Sequence, residues 1–136
     1  IEYAPMEYDT YVFLANLYNE AAIYLDTAYA DEAIEVGQRG VGVSEFGPAI
    51  RVQLALAYTV QERFDDAIAE LEFATALDSR YTGAYTLLGD TYARVGRTDE
   101  ARAAYEHVLK RYPDDAGALA GLEALEATDD ASSDVD

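Results

Sequence analysis

The chain has no cysteine, one histidine, one methionine, three prolines and, among its nine basic residues, a single lysine, Lys110. Without cysteine, neither disulfides nor thiolate metal ligands can contribute, and composition carries no mark of the redox compartment. His107 stands between Glu106 and Val108 with no partner near it in sequence, which reads as a partly exposed helix residue rather than a general base. Ser44, Ser79, Ser132 and Ser133 lie outside any Gly-x-Ser-x-Gly setting, so no activated nucleophile is expected. No apolar run approaches the ~20 residues that span a bilayer, so this stretch is not expected to insert into a membrane.

Positive charge is scarce as well. Twenty-seven acidic residues against nine basic ones leave a formal net charge of -18. A nucleic-acid surface needs a basic stripe, and none is present. The acids are spread rather than clustered, nine before Pro48, six in each of the stretches 48–81 and 82–115, and six after Asp115. Two origins fit that spread: adaptation to high salt, or a high-GC genome with an acidic bias. In both cases self-repulsion opposes folding at low ionic strength and screening relieves it. The pairs Asp65-Asp66 and Asp99-Glu100 suit helix N-termini, where negative charge meets the positive end of the helix dipole. Asp129-Asp130 belongs to a solvated tail, since no loop there offers the six or more oxygens that calcium takes. Neither a metal nor an organic cofactor is implied, and an enzyme is not expected.

What is abundant is internal repetition. Asp31-Glu32-Ala33, Asp65-Asp66-Ala67 and Asp99-Glu100-Ala101 follow one another at equal intervals along the chain. A period on this scale marks stacked supersecondary units. Aligning residues 48–81 with 82–115 places Leu54 on Leu88, Tyr58 on Tyr92, Ala67 on Ala101 and Leu71 on Tyr105. Small residues such as Ala55, Gly89, Ala67, Ala74 and Ala101 let two helices approach to about 8 Å, and the large ones fill the space beside them. Gly96 suits the turn within a pair, and Pro113 ends the second helix.

The first unit is less regular. Tyr11, Leu14, Ala15 and Tyr18 reproduce the spacing earlier in the chain than the period demands, with Pro5 where a preceding unit would end. The spacing predicts a lengthened first helix over about Asp9 to Thr27 and a partner from near Asp31. Gly37, Gly40 and Gly42 weaken that partner by about 1 kcal/mol each, so it is expected to stop near Arg39 and leave Gly40 to Phe46 as a loop. Pro48 then opens the next helix. After Asp114-Asp115, the stripe Leu119, Leu122, Leu125 predicts a capping helix over 114–127, as a stack needs at its end. Residues 128–136 are expected to be an acidic disordered tail. The predicted organisation is thus one helical domain over 1–127, with units at about 8–47, 48–81 and 82–115.

With Tyr85, Gly89, Tyr92, Ala101, Tyr105 and Pro113, the later copy reads aromatic-x2-Leu-Gly-x2-Tyr, Ala, aromatic, Pro, and resembles the tetratricopeptide repeat. The resemblance implies an all-α, right-handed superhelix of about three antiparallel helix pairs plus a cap, acting as a non-catalytic protein-interaction module or assembly scaffold. It implies a concave groove lined by the first helices, which receives a peptide or helix. Carried over, the groove positions are Val12, Phe13, Asn16, Asn19 and Glu20, then Val52, Gln53, Leu56, Thr59 and Val60, then Thr86, Leu87, Asp90 and Arg94. Some relatives clamp the carboxylate of chaperone tails with Lys, Asn and Arg. Here Asn16 and Gln53 supply amides, but Val12, Gly83 and Leu87 occupy the basic positions, so chaperone-tail binding is not expected.

Three occupants are open for the apolar positions Val52, Leu56, Val60 and Leu87: a segment of another protein, a second copy in a homo-oligomer, or more of the parent protein. A segment of another protein is the leading reading, and simple packing between neighbouring first helices is the bland alternative. The chain begins at Ile1, as a fragment or a processed form would, and the cytoplasm is the preferred compartment.

Overall fold

The computed structural model describes residues 7–133, and the expectations attached to Pro5 and to residues 134–136 lie outside them. Among the described residues all regular structure is helical: α1 (Tyr8–Tyr24), α2 (Tyr29–Val43), α3 (Pro48–Val60), α4 (Phe64–Leu77), α5 (Thr82–Arg94), α6 (Thr98–Arg111) and α7 (Ala116–Ser133). They fall into two compact units, Ile1–Asp78 and Ser79–Asp136.

In the first unit α1 pairs with α2 and α3 with α4, while α3 also packs on α1 and α2. The centre of this packing is apolar nearly all round α3, where Ile50, Val52, Leu54, Ala55, Ala57 and Tyr58 are buried. A helix hydrophobic on every side belongs in an interior. Fully burying Ile50, Leu54 and Leu71 stabilises by about 1.5–3 kcal/mol each. The start of α3 is set by Pro48 at its first turn and by the Tyr8 hydroxyl, which accepts the Ile50 N–H at 3.1 Å. Gly47 leaves room for that phenol, because a Cβ there would run into the Tyr8 ring.

The expectation that α2 stops near Arg39 is corrected. The helix continues to Val43, and the Ser44 N–H reaches the Gly40 carbonyl at 3.0 Å. Two of the three glycines are there for close approach. A Cβ on Gly40 would lie 2.7 Å from Ile50 and 2.9 Å from Tyr11, and one on Gly37 would lie 3.1 Å from Leu54. Tertiary packing thus overrides the weak local propensity. The connection to α3 shrinks to Ser44–Gly47. Helix α1 ends at Tyr24 rather than Thr27, where the Asp26 carboxylate accepts the Ala28 N–H at 2.8 Å and turns the chain.

Both complete periods close their turns alike. Arg63 N–H bonds the Tyr58 carbonyl at 2.8 Å, and Arg97 N–H bonds the Tyr92 carbonyl at 2.9 Å. The turn residue between them is left-handed in each, Gly96 at φ +79° and Glu62 at φ +58°. The arginine after it lies over the tyrosine ring, Arg63 at 4.5 Å from Tyr58 and Arg97 at 4.6 Å from Tyr92.

In the second unit α6 packs on α5 and α7, and α7 touches α5. Tyr105 is the wedge: a Cβ on Gly89 would lie 2.6 Å from its ring, and one on Gly121 would overlap it. Asp115 caps α7, its carboxylate accepting the Ala118 N–H at 2.9 Å. Of the predicted leucine stripe, Leu125 is buried, Leu122 half-buried and Leu119 exposed.

The disordered tail predicted from Thr128 is also corrected, since α7 runs on to Ser133. Arg102 pairs with Asp129 at 3.0 Å, and the Thr128, Ser132 and Ser133 hydroxyls donate back to carbonyls of the preceding turn. These bonds let a polar sequence extend a helix already nucleated by packing.

Candidate functional site

Taking the first unit by itself, the predicted groove positions separate into exposed, half-buried and core residues. Phe13 (65% exposed) and Asn16 stand on the surface of α1, while Val12, Gln53, Leu56, Thr59 and Val60 are half-buried. Asn19 and Val52 are core residues, at 2% and 8% exposure, and do not line a surface. The Asn19 amide donates to the Gln53 carbonyl at 2.8 Å and to its Oε1 at 2.9 Å, which joins α1 to α3. Val52 is one of six buried residues that surround α3.

Sequence reasoning missed two exposed apolar side chains of α1. Leu17 and Tyr24, with Phe13, form a ridge along α1, and Leu17, Glu20, Ala21, Tyr24 and Leu25 line a shallow cavity of about 300 Å³. The signal was available, because aligning Tyr18 on Tyr58 puts Leu17 on Ala57, a position that is fully buried on α3.

The arginines of this unit are all held by carboxylates. Arg39 meets Glu35 at 2.7 Å, Arg63 meets Asp66 at 2.9 Å, and Arg51 meets Glu70 at 2.8 Å in a largely buried pair. Arg51 also lies over Phe73 and donates to the Glu45 carbonyl, so its guanidinium is committed to the fold.

In the second unit Leu87 is half-buried, whereas Asp90 and Arg94 are exposed at the edge of an open groove of about 590 Å³. The floor is made of small residues, Ala93 from α5 with Ala120, Gly121 and Ala124 from α7. The cap helix therefore builds half of the groove, a role that its sequence did not announce. Tyr105 reaches in from α6 and its hydroxyl donates to Asp90 at 2.6 Å. Burial, and then the bond to the Asp90 carboxylate and its charge, push the phenol above its ordinary titration range.

A second recess of about 280 Å³ lies between α5 and α6, walled by Tyr85, Tyr92, Glu100 and His107. His107 stacks on Tyr85 at 3.8 Å and donates from Nε2 to the Ser79 carbonyl at 2.9 Å. Its ring is thus tied into the packing of the helix pair. Among the described residues no group of three or more metal-ligating side chains comes together, and no helix is long and apolar enough to cross a membrane.

The sequence model of the tetratricopeptide repeat matches residues 58–126, half of the chain. The chain belongs to the tetratricopeptide repeat family. Over 91 residues, 67% of its length, it is 32% identical to mouse RNA polymerase II-associated protein 3, of which the match spans only 14%. The first tetratricopeptide domain of Spaghetti (RPAP3), solved with the HSP90 peptide SRMEEVD, superposes with a TM-score of 0.77 at 25% identity, covering 93% of this chain and 98% of that one. The Sgt2 tetratricopeptide domain from Aspergillus fumigatus gives a TM-score of 0.81 at 22% identity, over 96% of this chain and 84% of its own. The all-α helical-repeat class expected from the sequence is borne out by these structures.

Proposed function

We propose that this tetratricopeptide chain is a non-catalytic interaction module that seats bulky apolar side chains of a helix or peptide in the groove between α5 and α7. The observation that carries this reading is the groove itself, about 590 Å³ of open space over a floor of alanine and glycine. Small residues leave holes that large side chains of a partner fill, as in knobs-into-holes packing. The exposed predicted positions Asp90 and Arg94 flank the groove and supply its polar rim.

The partner differs from the acidic peptide held by the Spaghetti domain. Val12, Gly83 and Leu87 stand where the resemblance places clamp cations, and each arginine of the first unit already faces a carboxylate. A net charge of -18 adds long-range repulsion against an acidic tail.

The test is a fluorescence-anisotropy titration with two labelled probes, SRMEEVD and an acid-free amphipathic helix rich in Leu and Phe. Micromolar binding of the helix, lost in Ala120→Glu, together with no binding of SRMEEVD is the expected result. Micromolar capture of SRMEEVD, or indifference to Ala120→Glu, overturns the reading.

A further inference from the structure

Helix α1 repeats the pattern of α3, with Phe13 corresponding to Gln53, Leu14 to Leu54, Leu17 to Ala57 and Tyr18 to Tyr58. On α3 this face is covered by two helices of the same unit, α1 and α2. Gln53 receives the Asn19 amide there, and Ala57 is fully buried. On α1 the same face stays open, with Leu17 at 50% and, two turns on, Tyr24 at 80% exposure. The shallow cavity of about 300 Å³ beside Leu17, Ala21, Tyr24 and Leu25 offers a seat for a large apolar side chain. Exposed side chains of this size in one stripe form a patch that monomers rarely leave uncovered. On the matching face of α3 the cover is helical, so the element that fits α1 is a helix.

Charge says which helix. At about 100° per residue Asp9, Phe13, Leu17, Glu20 and Tyr24 fall on one narrow stripe, so two carboxylates are interleaved with three large side chains. Glu20 also lines the cavity. Both acids are exposed, and neither meets a cation among the described residues. All nine basic residues of the chain stand at Arg39 or later, whereas Glu7, Asp9, Glu20 and Asp26 lie on or beside α1. A second copy does not supply the complement. Among the described helices only α3 carries more basic than acidic residues, and its Arg51 is held by Glu70 in a largely buried pair. We propose that the open face of α1 is a further interaction surface, built from other residues than the groove of α5 and α7, and that it takes a basic amphipathic helix of another protein. Apolar side chains of that helix cover Phe13 and Leu17 and enter the cavity beside Tyr24, while its Lys or Arg side chains pair with Asp9 and Glu20. The net charge of -18 attracts such a helix over long range, and salt weakens that attraction.

The experiment is a fluorescence-anisotropy titration of the full chain with a labelled model helix bearing Leu on one face and Lys on the other. It is run on wild type and on the groove variant Ala120→Glu, so that the two surfaces are read apart. Two pairs of substitutions probe α1, Phe13→Ser with Leu17→Ser and Asp9→Asn with Glu20→Gln. A third pair, Glu106→Gln with Asp114→Asn, removes the same charge elsewhere, and circular dichroism checks native helicity in every variant. Micromolar binding is expected in wild type and in Ala120→Glu alike. It should weaken at least about tenfold after either α1 pair, stay unchanged after the third pair, and fall as salt is raised. A scrambled peptide of the same composition, which forms no apolar face, should bind less. Indifference to Phe13→Ser with Leu17→Ser, equal weakening by the third pair, or equal binding of the scrambled peptide would reduce the attraction to overall charge and overturn the inference. Light scattering on the chain alone supplies another arm: growth in mass that Phe13→Ser with Leu17→Ser abolishes would give the face to a second copy instead. Binding lost in Ala120→Glu but kept in both α1 pairs overturns this inference while leaving the groove reading intact.

Discussion

Tyr85 stacks on His107 at 3.8 Å, and one repeat earlier the same two helix positions are occupied by Arg51 lying 3.9 Å over Phe73. The joint between first and second helix is kept while its chemistry changes from cation on ring to ring on ring. Replacing His107 by Ala is expected to cost about 1 kcal/mol in urea unfolding, and His107→Phe to recover most of it. Equal losses from both would show that the Ser79 carbonyl bond, and not the stack, holds the joint.

Glu62 is a non-glycine residue in the left-handed region, where the equivalent position of the following repeat is Gly96. Relieving that conformation should stabilise by roughly 1 kcal/mol, so Glu62→Gly is expected to raise the urea midpoint. Gly96→Ala should lower it by a similar amount, although no neighbour lies near enough to clash.

Gly40 and Gly42 lie in the same helix, yet they should respond to alanine with opposite signs. A methyl on Gly40 meets Ile50 at 2.7 Å, and overpacking of this kind costs about 1–3 kcal/mol. Gly42 has open space around it, and there the helix propensity of alanine should add up to about 1 kcal/mol. Chemical denaturation of the two single variants decides the matter, and a loss at both positions would contradict the close-packed course of α2.

The Tyr105 phenol titrates above its ordinary range because it is buried and bonded to Asp90. The folded state therefore binds its proton more tightly than the unfolded state. This contribution to stability is whole below about pH 10, the ordinary tyrosine value, and is lost as pH rises beyond it. Thermal unfolding should show a steeper alkaline decline for wild type than for Tyr105→Phe. Parallel declines would assign the effect to other groups.

With a net charge of -18, the thermal midpoint should climb between low salt and about 1 M NaCl, where the screening length falls to about 3 Å. A flat response would mean that ion pairs such as Arg51–Glu70 and Arg102–Asp129 already absorb the repulsion.

Much of the fold was legible because the repeat is written in residues that only packing explains. Leu54 and Leu88, Tyr58 and Tyr92, and Ala67 and Ala101 recur one period apart and are all buried. The shifted register of Tyr11, Leu14, Ala15 and Tyr18 identified α1, although its last turn was placed too late. The surface was far less legible. Asn19 and Val52 looked like groove residues and are core, because polarity alone does not show that an amide has a partner at 2.8 Å across a helix interface. The ridge on α1 escaped notice because an exposed leucine and a buried one are the same letter.

By itself, the sequence determined the helical class, the helix pairs, the turn glycine at 96, the proline start of α3 and the surplus of negative charge, since these rest on local propensity, periodicity and composition. Only the tertiary structure decided that Gly37 and Gly40 belong inside a helix, that α7 reaches Ser133 and shares in a groove, and that Tyr105 wedges between Gly89 and Gly121. The physical reason is common to all three. Each depends on what lies against a residue from a distant part of the chain, and a neighbour brought close by folding can outweigh the roughly 1 kcal/mol by which a residue prefers its local conformation.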